Sequence, residues 1–229
     1  MKIPFTKFGL PQLLIYPLSI IAVMGLVWWL TAGANILPLP AAVIIEFLFA
    51  CLLIFSLMFF RDPTRSGPKD DNILLAPADG HITDVEIVQE NDYVEGPMMR
   101  IGIFLSIFDV HINRAPCKAK VEKITYKPGK FLNAMNPKSG KVNESNDLVL
   151  VRENQPKDKL VVRQISGAIA RRIVCAVTVG DKLQTGEKFG MIKFGSRTEL
   201  YVPAGDNIKC LVKPGDRVRA GLTVLARYE

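Results

Sequence analysis

The sequence predicts a β-rich α+β protein: a barrel-sandwich-like β domain preceded by an N-terminal hydrophobic helical hairpin. Three observations predict it. Apolar residues crowd the stretch up to Phe60, and charged residues lie almost entirely beyond it. From about Leu74, short β-branched and apolar runs alternate with Gly, Pro, Asp and Asn breaks. A GDxxxxG turn recurs, as Gly180-Asp181 with Gly186 and again as Gly215-Asp216 with Gly221. A chain of 229 residues has room for one substantial domain or for a smaller one with an appendage. The split composition favours the second, with a membrane hairpin over 1–62 and a β-rich domain over 63–229.

Between Lys7 and Arg61 the sole charged side chain is Glu46. The run divides into two stretches, about 13–32 and 39–60. At 1.5 Å per residue, about twenty helical residues cross the roughly 30 Å hydrocarbon core of a bilayer. Gly33, Asn35, Pro38 and Pro40 break the helix between them without adding charge, and Trp28 and Trp29 suit the interface beside that turn. A cleaved signal peptide has one short apolar stretch, and here a second long one follows at once. Pro17 and Glu46 are costly in straight spanning helices, which leaves a shallow hairpin in one leaflet open. Lys2 and Lys7 precede the hairpin while Arg61, Arg65 and Lys69 follow it, so the positive-inside bias puts both ends, and the β domain, on the cytoplasmic side of the cell membrane.

The net charge of +7 calls for an anionic partner. An anionic membrane fits it together with the apolar N-terminus; nucleic acid does not, because no RNA-binding signature or aromatic-interleaved basic run accompanies the charge. Cys51, Cys117, Cys175 and Cys210 form no CxxC pair, so neither a zinc site nor a disulfide framework is expected. They read as reduced thiols acting as small buried hydrophobes.

In the β domain the runs HITDVEIV, MMRIGIFLSI, LVLVREN, RRIVCAVTV and GMIKFG read as strands, and helical candidates such as ISGAIARRI are short. The GDxxxxG turn followed by an apolar strand resembles the hammerhead turns of biotinyl and lipoyl carrier barrels, and PADG at 77–80 is of the same kind. No Met-Lys modification signature accompanies it, so that likeness concerns fold alone.

Familiar catalytic signatures are sparse. With only His81 and His111 a His-rich metal site is excluded, and GxSxG, P-loop and GxGxxG motifs are absent. His111 stands at the end of an apolar strand in FLSIFDVHINRAP, a common position for an acid or base; a lone histidine there is equally compatible with a structural role. Asp79, in the PADG turn, has the chemistry to orient an imidazole or hold a proton, and equally that of a plain turn aspartate. His81 follows in the same turn. Gly195-Ser196 lies between GMIKF and RTELYVP and as a dipeptide carries almost no information.

The ordered combination is far more specific. FFRDPTR after a hydrophobic hairpin, ADG at 78–80, FLSIFDVHINRAP, YKPGKFLNA at 126–134, NESN at 143–146, QISGAIARRIVC at 164–175 and GMIKFGSRTELYVP occur in that order. Together they closely resemble the short, archaeal-type form of the phosphatidylserine decarboxylase family, pyruvoyl-dependent enzymes of phospholipid synthesis, over nearly the whole chain after Phe59.

The resemblance implies that the protein cleaves itself at Gly195-Ser196. The Ser196 hydroxyl attacks the Gly195 carbonyl, the amide becomes an ester, and elimination followed by hydrolysis leaves a pyruvoyl group on a chain of residues 196–229, with residues 1–195 as its companion. A glycine at 195 permits the close approach this needs. The pyruvoyl carbonyl then forms a Schiff base with the substrate amine and takes up the electrons released as carbon dioxide departs, the role pyridoxal phosphate has elsewhere. No bound cofactor or metal is required beyond this covalent group. His111 matches the first histidine of the DYHRVH-type segment of longer members and is assigned mainly to protonating the substrate carbon, with Asp79 as its partner in catalysis. Arg114 occupies the second histidine's place, so that either His111 serves both steps with Asp79 or another group takes part in self-cleavage, and FGSR replaces LGST. Arg197 is a candidate for holding the substrate carboxylate or phosphate, or a simple surface arginine.

The expected reaction is decarboxylation of phosphatidylserine to phosphatidylethanolamine. The competing readings are an archaetidylserine decarboxylase, which shares the head-group chemistry, and a non-enzymatic membrane-anchored barrel module. Expected partners are the membrane phospholipid substrate and the two processed chains; a homo-oligomer is among the states the sequence allows.

Overall fold

The computed structural model describes residues 5–89, 92–94, 96–136, 139–168, 172–193 and 196–229. The chain forms two compact units, Met1–Pro63 and Thr64–Glu229. In the first, helix α1 (Leu10–Trp28) runs on through a π-helical turn, Trp29–Gly33, and packs against helix α2 (Leu39–Phe59). Pro17 sits inside α1 without ending it. Both helices are long and apolar enough to cross a membrane, and Leu14, Leu18, Phe47 and Ile54 are among the many large apolar side chains they expose. A core helix of a soluble domain would bury them. The hairpin ends meet, with Phe5 bridged to Arg61 and the Thr6 N–H donating to the Phe60 carbonyl at 3.0 Å.

The second unit is β-rich. Its strands are β1 (Ile73–Leu75), β2 (Gly80–Gln89), β3 (Pro97–Leu105), β4 (Ile112–Arg114), β5 (Ala119–Lys127), β6 (Ser145–Arg152) and β7 (Lys159–Ile165), then β8 (Arg172–Cys175), β9 (Lys182–Leu183), β10 (Lys188–Lys193), β11 (Ser196–Pro203), β12 (Ile208–Cys210), β13 (Arg217–Val218) and β14 (Val224–Tyr228). A short helix, α3 (Ser139–Val142), precedes β6. Among the described residues, eight strands form one curled antiparallel sheet in the order β13-β2-β3-β11-β7-β6-β5-β9. Two three-stranded sheets, β1-β14-β12 and β4-β10-β8, complete the unit. Strand alternation explains the core: Ile101, Ile103 and Leu105 of β3, Leu200 and Val202 of β11, Leu160 and Val162 of β7 and Leu148 and Leu150 of β6 point to one face and pack with Leu74, Phe189 and Leu225.

The two GDxxxxG copies share one geometry. Gly180 and Gly215 have φ of 99° and 94°, and Gly186 and Gly221 have 76° and 70°, a left-handed backbone that glycine adopts without penalty. Asp181 accepts the Thr178 N–H at 2.8 Å as Asp216 accepts the Lys213 N–H at 2.9 Å. Gly186 N–H donates to the Ala115 carbonyl and Gly221 N–H to the Ala76 carbonyl. The segments they grip cross reciprocally, with Arg114 N–H on the Pro77 carbonyl and Leu75 N–H on the Pro116 carbonyl. This pseudo-symmetric crossing sets the turn carrying Asp79 beside the strand that follows His111.

All four cysteines are free thiols, but only Cys117 is buried; Cys51 is exposed on α2. Burial pushes the Cys117 thiol up to about 12, which makes it an inert core residue.

Candidate active site

Ser196 opens β11, a strand flanked on both sides, by β3 and β7, in the middle of the large sheet. The preceding strand β10 belongs to a different sheet, so the chain changes sheets between Lys193 and Ser196. Phe194 and Gly195, the latter one half of the expected scissile bond, lie outside the described residues. Ser196 is fully buried opposite Leu105, and its Oγ has no hydrogen-bond partner among the described residues. A buried hydroxyl left unpaired costs about 1–3 kcal/mol, so its presence at the head of a central strand calls for a functional account.

His111 is also fully buried. Its Nδ1 lies 3.0 Å from the Asp109 carbonyl oxygen. A carbonyl only accepts, so Nδ1 carries the proton, and in the neutral ring Nε2 is the nitrogen that bears the basic lone pair. The Asp109 carboxylate closes the preceding turn by accepting the Ser106 N–H at 2.9 Å and is paired with Arg217 at 3.2 Å. The Ile192 N–H donates to the His111 carbonyl at 3.2 Å, and Ile112 is in register with Met191. The imidazole is thus stitched through its backbone to β10, the strand that leads to Ser196.

Asp79 is occupied differently from the expectation. Both carboxylate oxygens are held by the Arg65 guanidinium, Oδ2 at 2.7 Å, and Oδ1 also accepts the Ala220 N–H at 2.8 Å. Among the described residues these bonds of Asp79 run to Arg65 and Ala220, while His111 Nδ1 rests on the Asp109 carbonyl. The turn is forced by Gly80, at φ 147°, where a Cβ would lie 2.0 Å from the Phe104 carbonyl oxygen. Asp79 therefore ties Arg65, at the start of the β-rich unit, to the turn. Asp79→Ala strands a buried guanidinium and is expected to cost about 3–5 kcal/mol. The urea midpoint of the detergent-solubilised protein measures this, and an unchanged midpoint would remove the tie. His81 is exposed on β2, away from this role.

Arg197 is neither a surface residue nor available to a substrate. Successive strand residues face opposite sides, so Ser196 and Arg197 diverge. The Arg197 guanidinium is buried on the other face and donates to Glu199 at 2.8 Å, Thr83 Oγ1 at 2.7 Å and Asp84 at 2.6 Å. Burial alone would raise the Asp84 carboxyl, but hydrogen bonds from Thr83 and Arg197, with the charges of Arg197 and Arg100, hold it below the ordinary value.

On the Ser196 face lie polar residues that the sequence reading quoted only inside motifs. Asn146 Nδ2 donates to Gln164 Oε1 at 3.1 Å, Gln164 Nε2 to Asn113 Oδ1 at 2.9 Å, and Asn113 Nδ2 to Thr198 Oγ1 at 3.1 Å. This buried chain of amides crosses β6, β7 and β11 one step from Ser196. A signal was present, since Asn146 and Gln164 share the core face of their strands with Leu148, Leu150, Leu160 and Val162, but its meaning depended on the pairing of the strands. Lys193, at the end of β10, is buried as well, and burial with the nearby Arg172 charge lowers its amine. Among the described residues, no group of three or more His, Cys, Asp and Glu side chains is arranged to hold a metal ion.

The family model described as phosphatidylserine decarboxylase matches residues 52–226. The chain is 42% identical over 231 residues to a phosphatidylserine decarboxylase proenzyme of Rhodopirellula baltica, covering all of this chain and 90% of the relative. It is likewise 42% identical to a proenzyme of that name from Carboxydothermus hydrogenoformans, over 88% of this chain and 94% of the relative. A third, from Symbiobacterium thermophilum, is 46% identical over 78% of this chain and 81% of its own length.

Proposed function

The chain belongs to the phosphatidylserine decarboxylase family, and from that premise we propose that it matures by breaking its own Gly195-Ser196 bond and that Ser196 becomes a pyruvoyl group. The enzyme decarboxylates phosphatidylserine to phosphatidylethanolamine in phospholipid biosynthesis. With every relative named above a phosphatidylserine decarboxylase proenzyme, this reading displaces the archaeal-lipid and carrier-module alternatives. The observation that carries the proposed maturation is the buried Ser196 hydroxyl without a partner among the described residues, at the point where the chain changes sheets. A side chain that stabilises nothing is free to be consumed.

A pyruvoyl group held there supplies an electrophilic carbonyl and an electron sink for a substrate amine. The protein supplies orientation, dryness and protons. Leu105, Ile103 and Leu200 pack the wall of the core beside Ser196 and exclude water from the reacting carbon. His111, with Nδ1–H held on the Asp109 carbonyl, presents Nε2 as the atom that carries a proton to the carbon from which carboxylate has departed. Asp79 supports this site from a distance, by holding Arg65 and the Ala220 N–H.

The two apolar helices suit membrane association. Lys7 on one side of the hairpin and Arg61, Arg65 and Lys69 on the other support a cytoplasmic β domain, where a lipid substrate reaches the site without leaving the bilayer. Denaturing intact-mass analysis of membrane-extracted, active material tests the whole reading. Two species are expected, residues 1–195 and a blocked chain of residues 196–229. Activity residing in a single intact chain would overturn it.

A further inference from the structure

We propose that Glu144 and Ser166 form a proton relay to Ser196 that starts the self-cleavage, an inference that rests on the maturation proposed above. Their register brings the three together. The β6–β7 ladder pairs Ser145 with Ile165 and continues through the Ser166 N–H, which donates to the Glu144 carbonyl at 2.9 Å. The β7–β11 ladder ends with Ile165 opposite Arg197, and extending its antiparallel register by one residue sets Ser166 opposite Ser196. Because side chains alternate, Glu144, Ser166 and Ser196 form one cross-strand row on the core face, adjacent to the amide row of Asn146, Gln164 and Thr198.

All three are buried, Glu144 at 8% exposure and both serines at 0%. Each has an oxygen without a hydrogen-bond partner among the described residues: Glu144 Oε2, Ser166 Oγ and Ser196 Oγ. Of the seven such buried atoms among the described residues, three fall in this single row. The row is held from both sides. Tyr126 donates to Glu144 Oε1 at 2.9 Å, which anchors the carboxylate by one oxygen and leaves the other for a proton. Asn143 Nδ2 donates to the Ser166 carbonyl at 2.8 Å.

Spacing dictates the order of transfer. Neighbouring strands lie about 4.8 Å apart, so Glu144 is about 10 Å from Ser196 and cannot take its proton directly, whereas Ser166 stands within one strand of each. Rotation of the two hydroxyls closes the relay. The Ser196 O–H passes its proton to Ser166 Oγ as Ser166 passes its own to Glu144 Oε2. The Ser196 oxygen bonds to the Gly195 carbonyl carbon. The proton then returns along the row to the Ser196 nitrogen as the C–N bond breaks, which leaves the ester and a carboxylate unchanged overall. The other candidates have different duties. Arg114 keeps its proton at any working pH and donates to the Gly186 carbonyl at 3.0 Å, and Asp79 is held by Arg65.

The test is a time course of intact mass for the freshly synthesised full chain and its Glu144→Gln, Ser166→Ala and Ser166→Cys variants. Glu144→Gln and Ser166→Ala are expected to slow chain cleavage by about 10²–10⁴-fold, the usual contribution of a positioned base. Ser166→Cys, which keeps a transferable proton, is expected to recover most of the rate, a rescue that loss of packing alone would not give. Glu144→Gln cleaving at the parental rate overturns the acceptor, and Ser166→Ala doing so overturns the relay. Should Glu144→Gln fail to fold, Ser166→Ala decides alone, since it removes one oxygen and no packed carbon. If the parent itself stays in one piece, the maturation reading fails instead.

Discussion

Ser196→Ala is expected to leave the chain in one piece and without decarboxylase activity. The reason is stoichiometric: no hydroxyl means no ester, no elimination and no new N-terminal carbonyl, and nothing else at position 196 can supply one. The fold predicts a second part to this result. The Ser196 Oγ is buried and makes no hydrogen bond among the described residues, while the backbone of residue 196 is held by its pairing with Leu105. Removing an unsatisfied oxygen relieves a desolvation penalty, so stability should be unchanged or raised, by up to about 1–3 kcal/mol. Intact mass, product formation from phosphatidylserine vesicles and a urea midpoint together check this. A processed or active alanine variant sinks Ser196 as the pyruvoyl precursor. A strongly destabilised one contradicts the environment described for it.

His111→Ala is expected to divide maturation from turnover. With the acceptor role assigned to Glu144 through Ser166, the variant should still cleave, yet its phosphatidylethanolamine output should fall by about 10²–10⁴-fold, the range for losing a positioned acid or base. His111→Asn is the companion variant, because its amide N–H can replace Nδ1–H on the Asp109 carbonyl while lacking any group that titrates. Product formation by the processed chains is the measurement. A fully active His111→Asn removes the imidazole from proton transfer, and failure of both variants to cleave would return His111 to the maturation step.

Much of the architecture was legible because it depends on local pattern. The run from Lys7 to Arg61 with Glu46 as its sole charge is a hairpin by length and solvation alone, and the helices at Leu10–Trp28 and Leu39–Phe59 follow it closely. The repeated GDxxxxG turns have glycines where a left-handed backbone is needed, and both copies adopt it. The site was legible only through the order of its motifs. Asp79 looked like a partner for His111 because both are chemically suited, but Arg65 at the start of the same unit claims both its oxygens. Arg197 looked accessible because it adjoins Ser196, but adjacency along a strand means opposite faces of the sheet.

By itself, the amino-acid sequence determined the apolar helical hairpin, the β-rich domain with its paired turns, and the family with its Gly195-Ser196 dipeptide, all of which rest on composition, periodicity and contiguous motifs. Only the tertiary structure decided that Ser196 is buried without a partner among the described residues, that Asp79 is tied to Arg65, and that Glu144, Ser166 and Ser196 share one row. The physical reason is that these relations are set by the register between strands distant along the chain. A one-residue slip in that register would turn each of the three to the opposite face of the sheet.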